Sequence, residues 1–182
     1  MSEYSIDPQT IIDFWRDLGP DKWFVKDEAL DATIRERFGD VYERARLGEF
    51  DDWAEEPNGA LALVILLDQF SRNIHRDSPR MYESDEKALA VAKRALARGD
   101  HEHVGDDLNQ FLAMPLMHSE DLADQEACVT WMGEIGEENL PHAIEHCDIV
   151  AKFGRFPHRN RLLSRASTEE ERAFLAGGGF AG

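Results

Sequence analysis

Three short stretches of the sequence gather side chains able to hold anions or move protons. The first contains Asp68, Gln69, Arg72, Asn73 and Arg76. On a helix, Asp68, Arg72 and Arg76 fall at successive i, i+4 positions with Gln69 and Asn73 alongside, so these hydrogen-bonding groups share one face. Such a face either walls a polar cleft or forms an internal Asp–Arg pair that sets helix packing, because each buried polar group left unpaired costs about 1–3 kcal/mol. The second stretch runs from Met114 to Glu120 and places His118 near Glu120. An imidazole beside a carboxylate is equipment for general acid–base catalysis, which makes His118 and Glu120 the catalytic candidates. Helix capping accounts for Ser119, Glu120 and Asp121 without any function, since small polar caps and first-turn acids suit a helix start.

The third stretch is Phe153 to Asn160, inside a segment from Ile149 to Thr168 that holds Lys152, Arg155, Arg159, Arg161 and Arg165 but no Asp or Glu. The chain as a whole has a formal net charge of -17, so this basic block runs against the protein's own field. Gly154 suits a left-handed helix C-cap and Pro157 the first position of a new helix. His158, Arg159 and Asn160 would then occupy a first turn whose free N–H groups, joined by Arg155 and Arg159, have the makings of an anion site. Alternatively, Arg155 complements the dipole of the preceding helix and Arg159 pairs with Asp68 or Glu120. Together these stretches make Arg155, His158, Arg159, Asn160, Arg72, Asn73, Asp68 and Gln69 the ligand-binding candidates.

Other chemistries lack the residues they need. His142 and His146 are four apart and His101 and His103 flank Glu102, but neither set has a further ligand at familiar metal spacing, so no metal is expected. No nucleophile elbow, phosphate-binding loop or dinucleotide fingerprint occurs, and no cofactor is expected. The strong negative charge argues against nucleic acid and anionic membrane surfaces. Ala60 to Leu67 is an unbroken apolar run, far too short to span a bilayer. Met1 to Tyr4 show no secretory pattern, and Cys128 and Cys147 read as two buried free thiols, so a cytoplasmic location is expected. Trp15, Trp23, Phe24, Phe38, Phe70, Phe111 and Trp131 fall at core-like positions. Nothing in the pattern speaks to oligomeric state.

The elements that position these groups are helical throughout. With 182 residues, 42% of them hydrophobic, residues 1–182 are expected to form a single domain with its own core and a frayed tail at 177–182. Asp7 and Pro8 start a helix whose apolar stripe is Ile11, Phe14, Trp15 and Leu18. A second follows Asp27 with Leu30, Ile34, Phe38, Tyr42 and Ala45 on one side. Asn58 is expected to cap a third, apolar on every side and therefore central. Ser84 should cap a helix ending at Gly99, and others fit Asp107 to Met117, Asp121 to Ile135 and Asn139 to Phe153. Thr168 with Glu171 has the capping-box form. About eight or nine helices with short connections predict an all-α array of antiparallel pairs.

Leu66 to Asn73, Met114 to Glu120 and Phe153 to Asn160, followed by Thr168 and Glu171, resemble an uncharacterised, mainly bacterial family, domain of unknown function 924. The likeness runs from about Ile11 to Phe180. It implies an all-helical fold similar to the tetratricopeptide-like superfamily, a right-handed array of helix pairs, and it implies no established reaction and no catalytic residue. Four positions depart from the family pattern: Ser71 stands where Pro is expected, His75 where an aromatic is, Ala113 where Tyr is, and Ser164 where Gly is. The leading expectation is a cytoplasmic helical protein that binds an anionic small molecule or a peptide carboxylate in a polar cleft. A hydrolase using His118 and Glu120 and a protein-interaction scaffold are the alternatives.

Overall fold

Side-chain caps set four of the nine helix starts among the described residues, those after Asp7, Asp27, Asp121 and Thr168. Asp7 accepts from the Gln9 N–H and Pro8 opens α1, Pro8–Leu18, which buries Ile11, Ile12 and Trp15. The computed structural model describes residues 6–180. The expectation for Met1 to Tyr4, and that for the last two residues of the tail, lie outside the described residues. A short α2, Pro20–Trp23, precedes α3, Glu28–Arg46, whose first N–H groups are capped by Asp27.

The central element, α4, is a continuous helix in three parts: Pro57–Val64, a π-helical turn over Ile65–Phe70, and Ser71–Ile74. Every residue from Gly59 to Ser71 is buried, as its unbroken apolar sequence requires. It packs against α1, α3 and the 3-10 turn Asp51–Glu55. The start differs from expectation: Glu56, not Asn58, is the N-cap residue, because Pro57 already supplies a helical first position without an N–H to satisfy. A β-carbon on Gly59 would lie 2.1 Å from the Trp53 carbonyl oxygen, so glycine is what lets the turn lie against the helix.

Next come α5, Asp85–Arg98, α6, Met114–His118, α7, Leu122–Ile135, α8, Leu140–Phe153, and α9, Glu169–Ala176. Nine helices and no strand are present among the described residues. The helix expected from Asp107 to Met117 is instead a 3-10 turn, Asn109–Leu112, followed by α6, since Pro115 cannot donate within a continuous helix and sits at a new start. Ser84 occupies the N-cap position of α5 without capping it; its hydroxyl donates to the Leu67 carbonyl at 2.6 Å, tying α5 to the π turn. Thr168 and Glu171 form the capping box of α9.

The main core centres on aromatic contacts around Phe70, whose ring lies 5.6 Å from Trp15 and 5.0 Å from Phe38. Ile149, Val150 and Phe156 form a second, smaller apolar cluster with Phe153, Phe174 and Phe180. The tail is held as far as Phe180, whose ring packs 4.5 Å from that of His146. Phe24 is no core residue: it is 57% exposed. Cys128 is buried but Cys147 only half-buried.

Two backbone constraints yield stability predictions. Gly59→Ala should destabilise the protein by about 1–3 kcal/mol, read as a lowered urea midpoint at unchanged m-value, because overpacking against backbone cannot relax by a rotamer change. Ser164 has φ of 54°. That is left-handed backbone, which gives the family's expected glycine there a physical reason. Ser164→Gly should stabilise by about 0.5–1 kcal/mol, the relieved strain outweighing glycine's entropy cost, and raise the same midpoint.

Candidate functional site

The π turn of α4 is what brings the first polar stretch into the interior. Asp68 lies in it, fully buried. Its backbone carbonyl accepts from the Ser71 hydroxyl at 3.0 Å and from Arg72 Nη1 at 2.6 Å. Its carboxylate accepts from Gln69 Nε2 at 2.6 Å and lies 2.7 Å from His118 Nδ1 and 3.5 Å from Arg72 Nη1. Burial by itself would raise the Asp68 pKa, but its contact with His118 and the charge of Arg72 outweigh it and hold the carboxyl well below the usual range. An ionised Asp68 must accept from Nδ1–H, so Nε2 of His118 is the ring nitrogen left for the cavity.

The second link runs through Asp85 at the start of α5. Arg72 grips it with two bonds, at 3.0 and 3.2 Å. Arg159 Nη1 approaches the same carboxylate only to 3.7 Å. Arg159 sits in a 3-10 turn, Pro157–Arg159, and is 7% exposed. Its Nη2 donates to the His118 carbonyl at 3.0 Å, its plane lies over the Tyr82 and Phe156 rings, each 4.6 Å away, and its Nε is buried with no partner. Burial, then the like charge of Arg72, push the Arg159 pKa below the ordinary arginine value.

Of these groups Arg72, His118 and Arg159 border a cavity of about 440 Å³, while Asp68 and Asp85 lie behind its wall. Gln69, Arg72, Asn73, His118, His158 and Arg159 line it, together with Arg76, Asn139, His142 and His146. Its apolar wall is Trp23, Phe24, Val25, Met81, Met114 and Met117, with Tyr82 and Phe180 adding rings. Two of the histidines are held neutral: burial, and after it nearby positive charge, lower His158 to about 3 and His146 to about 4. Asn73 and Arg76 both donate to Asp31, at 2.8 Å for Asn73 Nδ2 and 2.8 Å for Arg76 Nη2, so their donors are largely spent.

The other residues singled out in the sequence are not at this cavity. Arg155 donates to both oxygens of Glu171, at 2.7 and 2.9 Å, and to the Ala166 carbonyl, so it braces α9 rather than completing the helix dipole of α8. Asn160 is buried between Glu171, Ser167 and Arg165. Glu120 does not orient His118. It receives Arg165 at 2.7 and 2.9 Å and the Phe156 N–H at 2.7 Å. Arg159 therefore pairs with neither Asp68 nor Glu120, both of which are filled by nearer donors. The anion site expected from backbone N–H groups after Pro157 does not form either. The turn is three residues long, and the N–H groups of Arg159 and Asn160 donate to the Phe156 and Pro157 carbonyls.

Away from the cavity, Glu43, His75 and Glu83 place one candidate metal-ligand atom each within 4.8 Å. Arg80 and Arg46 already donate to these carboxylates, which makes the group an ion-pair cluster; His75 packs 5.3 Å from the Tyr42 ring, as the aromatic expected there would. Tyr82, Met81 and Asp85 escaped the sequence reading because no local pattern marks a residue whose role depends on what folds over it.

The family described as bacterial proteins of unknown function (DUF924) matches residues 11–179. A solved structure of a protein of unknown function from Agrobacterium tumefaciens, ATU0120, is 44% identical, with a TM-score of 0.90 over 94% of this chain and 97% of that one. No curated protein matches the chain.

The Arg155–Glu171 brace generates a pH prediction. Hydrogen bonds from Arg155, and behind them the Thr168 N–H, overcome the penalty of burial and hold Glu171 at about 2, below its ordinary 4.5. A depressed carboxylate stabilises the fold above its unfolded pKa and ceases to do so as pH falls through its folded one. The stability gap between wild type and Glu171→Gln should therefore be full above about pH 4.5 and shrink towards pH 2, measured by urea denaturation across that window.

Proposed function

The chain belongs to the DUF924 family of bacterial proteins, and we propose that it binds an anionic small molecule or a peptide carboxylate in the cavity between α4, α6, α8 and the Pro157–Arg159 turn. One observation carries this reading. Among the described residues, Arg159 is a guanidinium almost wholly removed from water, with a single carbonyl bond, a carboxylate no closer than 3.7 Å, and an unpartnered Nε. Taking a charge out of water is costly unless it is paired and hydrogen-bonded, and a planar guanidinium is the side chain best matched to a carboxylate or phosphate. A ligand anion supplies the missing partner. Arg72 stands beside it across Asp85, and His118 is reached through the Arg159–carbonyl bond.

The apolar wall completes the ligand's description. A cavity of about 440 Å³ suits a small molecule, and its methionines and aromatic rings favour a body that is flat or aliphatic. The expected cytoplasmic location agrees with such a role for a metabolite-sized partner. The scaffold reading draws less support: of the exposed large apolar side chains, Phe24 and Val25 belong to the cavity, and Leu47, Leu122 and Ile144 lie on other elements.

Phenylacetate, a carboxylate with a flat apolar body, is a suitable probe for titration calorimetry. Arg159→Gln should weaken its binding by about 10–100-fold, the worth of a charge-assisted hydrogen bond. The same change should leave the unfolding temperature level or raised, because it removes an under-paired buried charge. Arg155→Gln should do the reverse, lowering the unfolding temperature with binding intact. Binding indifferent to Arg159→Gln, or a collapse of stability on making that change, would overturn the proposal.

A further inference from the structure

Among the described residues, the cavity wall offers no Ser, Thr, Cys or Lys as a nucleophile. It does offer a base. Of the four histidines at the cavity, His118 is the one whose far nitrogen rests on a buried carboxylate, at 2.7 Å. Its neighbours differ. His146 Nδ1 sits on the His142 carbonyl at 2.8 Å, and His158 Nδ1 is buried with no partner among the described residues. Asp68 is itself locked by Gln69 and Arg72, so the imidazole is fixed in one tautomer and one orientation. The Nε2 of His118 has no protein partner among the described residues. Arg159 lines the same cavity, is bonded to the backbone of that same residue, and has its Nη1 no closer than 3.7 Å to a carboxylate, so its guanidinium is a pre-positioned charge of the kind that stabilises an oxygen as it becomes negative.

We infer that His118 and Asp68 form a general-base dyad with which this cavity hydrolyses small carboxylic esters, His118 activating water and Arg159 holding the oxyanion. The inference rests on the anion-binding reading and gives the anion a place in a reaction, since the tetrahedral oxyanion and the product carboxylate both carry the charge that Arg159 lacks. His118 Nε2 takes a proton from water as the water oxygen bonds to the ester carbon. The carbonyl electron pair moves onto its oxygen, which faces the Arg159 guanidinium. When the intermediate collapses, the C=O bond re-forms, the bond to the alcohol oxygen breaks, and that oxygen takes the proton from the His118 imidazolium. The acid released loses its proton to solvent, and its carboxylate occupies Arg159 and Arg72. Asp68 is a positioning residue: it touches His118 and no reacting atom.

The test uses the full chain, p-nitrophenyl phenylacetate as substrate and phenylacetate as the product probe. Wild type should turn the ester over, with kcat falling about 10²–10⁴-fold in His118→Gln and about 10²–10³-fold in Arg159→Gln. Asp68→Asn should lower kcat with KM nearly unchanged, which a merely structural role would not do. Wild-type turnover should also slow in D2O, a reading that needs no variant and therefore survives if a substitution disturbs folding. His118→Gln should still bind phenylacetate, separating catalysis from binding. A wild-type rate equal to that of a folded His118→Gln, or no solvent isotope effect, would overturn the catalytic inference while Arg159-dependent phenylacetate binding kept the anion reading alive. Loss of that binding dependence would overturn both.

Discussion

The buried charge of Asp68 is the constraint on which the polar interior depends. A carboxylate with no water must be matched, and it is matched from two directions: Arg72, one helical turn along α4, and His118, at the end of α6. Arg72 in turn needs more negative charge than Asp68 alone provides and takes Asp85 from α5. Removing one member of such a group leaves another charge uncompensated, at a cost of about 3–5 kcal/mol, whereas the intact group adds little net stability. Its effect is therefore positional. It fixes α4, α5 and α6 against one another at a single depth and aims one imidazole nitrogen into the cavity.

The π turn explains why Asp68 can serve this way. The Asp68 carbonyl accepts from the Ser71 and Arg72 side chains as well as belonging to the helix. The wider turn carries an acceptor that two side-chain donors on the following turn reach, and π turns recur at functional sites. Ser71 stands where the family pattern expects proline, and its hydroxyl gives the Asp68 carbonyl a donor that proline would not have.

What was legible in the sequence was what is local. Asp7, Asp27, Asp121 and Thr168 cap the helices they precede, because a cap and its target N–H groups are two or three residues apart. The all-round apolar stretch named the central helix for the same reason. Partner choice was not legible. Glu120 and His118 are neighbours in sequence, yet one faces Arg165 and the other Asp68, 45 and 50 positions away. Phe24 read as core from its type alone, and only the fold places it at a cavity. The basic block carried the right cue and the wrong unit: its guanidiniums do not act together, since Arg155 and Arg165 are filled by Glu171 and Glu120, leaving Arg159 with capacity to spare.

That division bears on how an anion could be chosen by a protein of net charge -17. At physiological salt, screening over about 8 Å confines most of the repulsion to the surface, so it slows approach more than it weakens a bound state. Inside, the histidines nearest Arg159 add no charge at neutral pH, because burial keeps His146 and His158 at about 4 and about 3. Attraction therefore comes from few, nearly dry donors at contact distance. A bare, strongly hydrated anion gains little from such a site, because it surrenders its water for one under-paired guanidinium. An anion with an apolar body regains that loss against Met114, Met117 and the rings at the lip. Selectivity for amphipathic anions follows from combining a repulsive surface, a single spare arginine and an apolar wall, and none of the three would produce it alone.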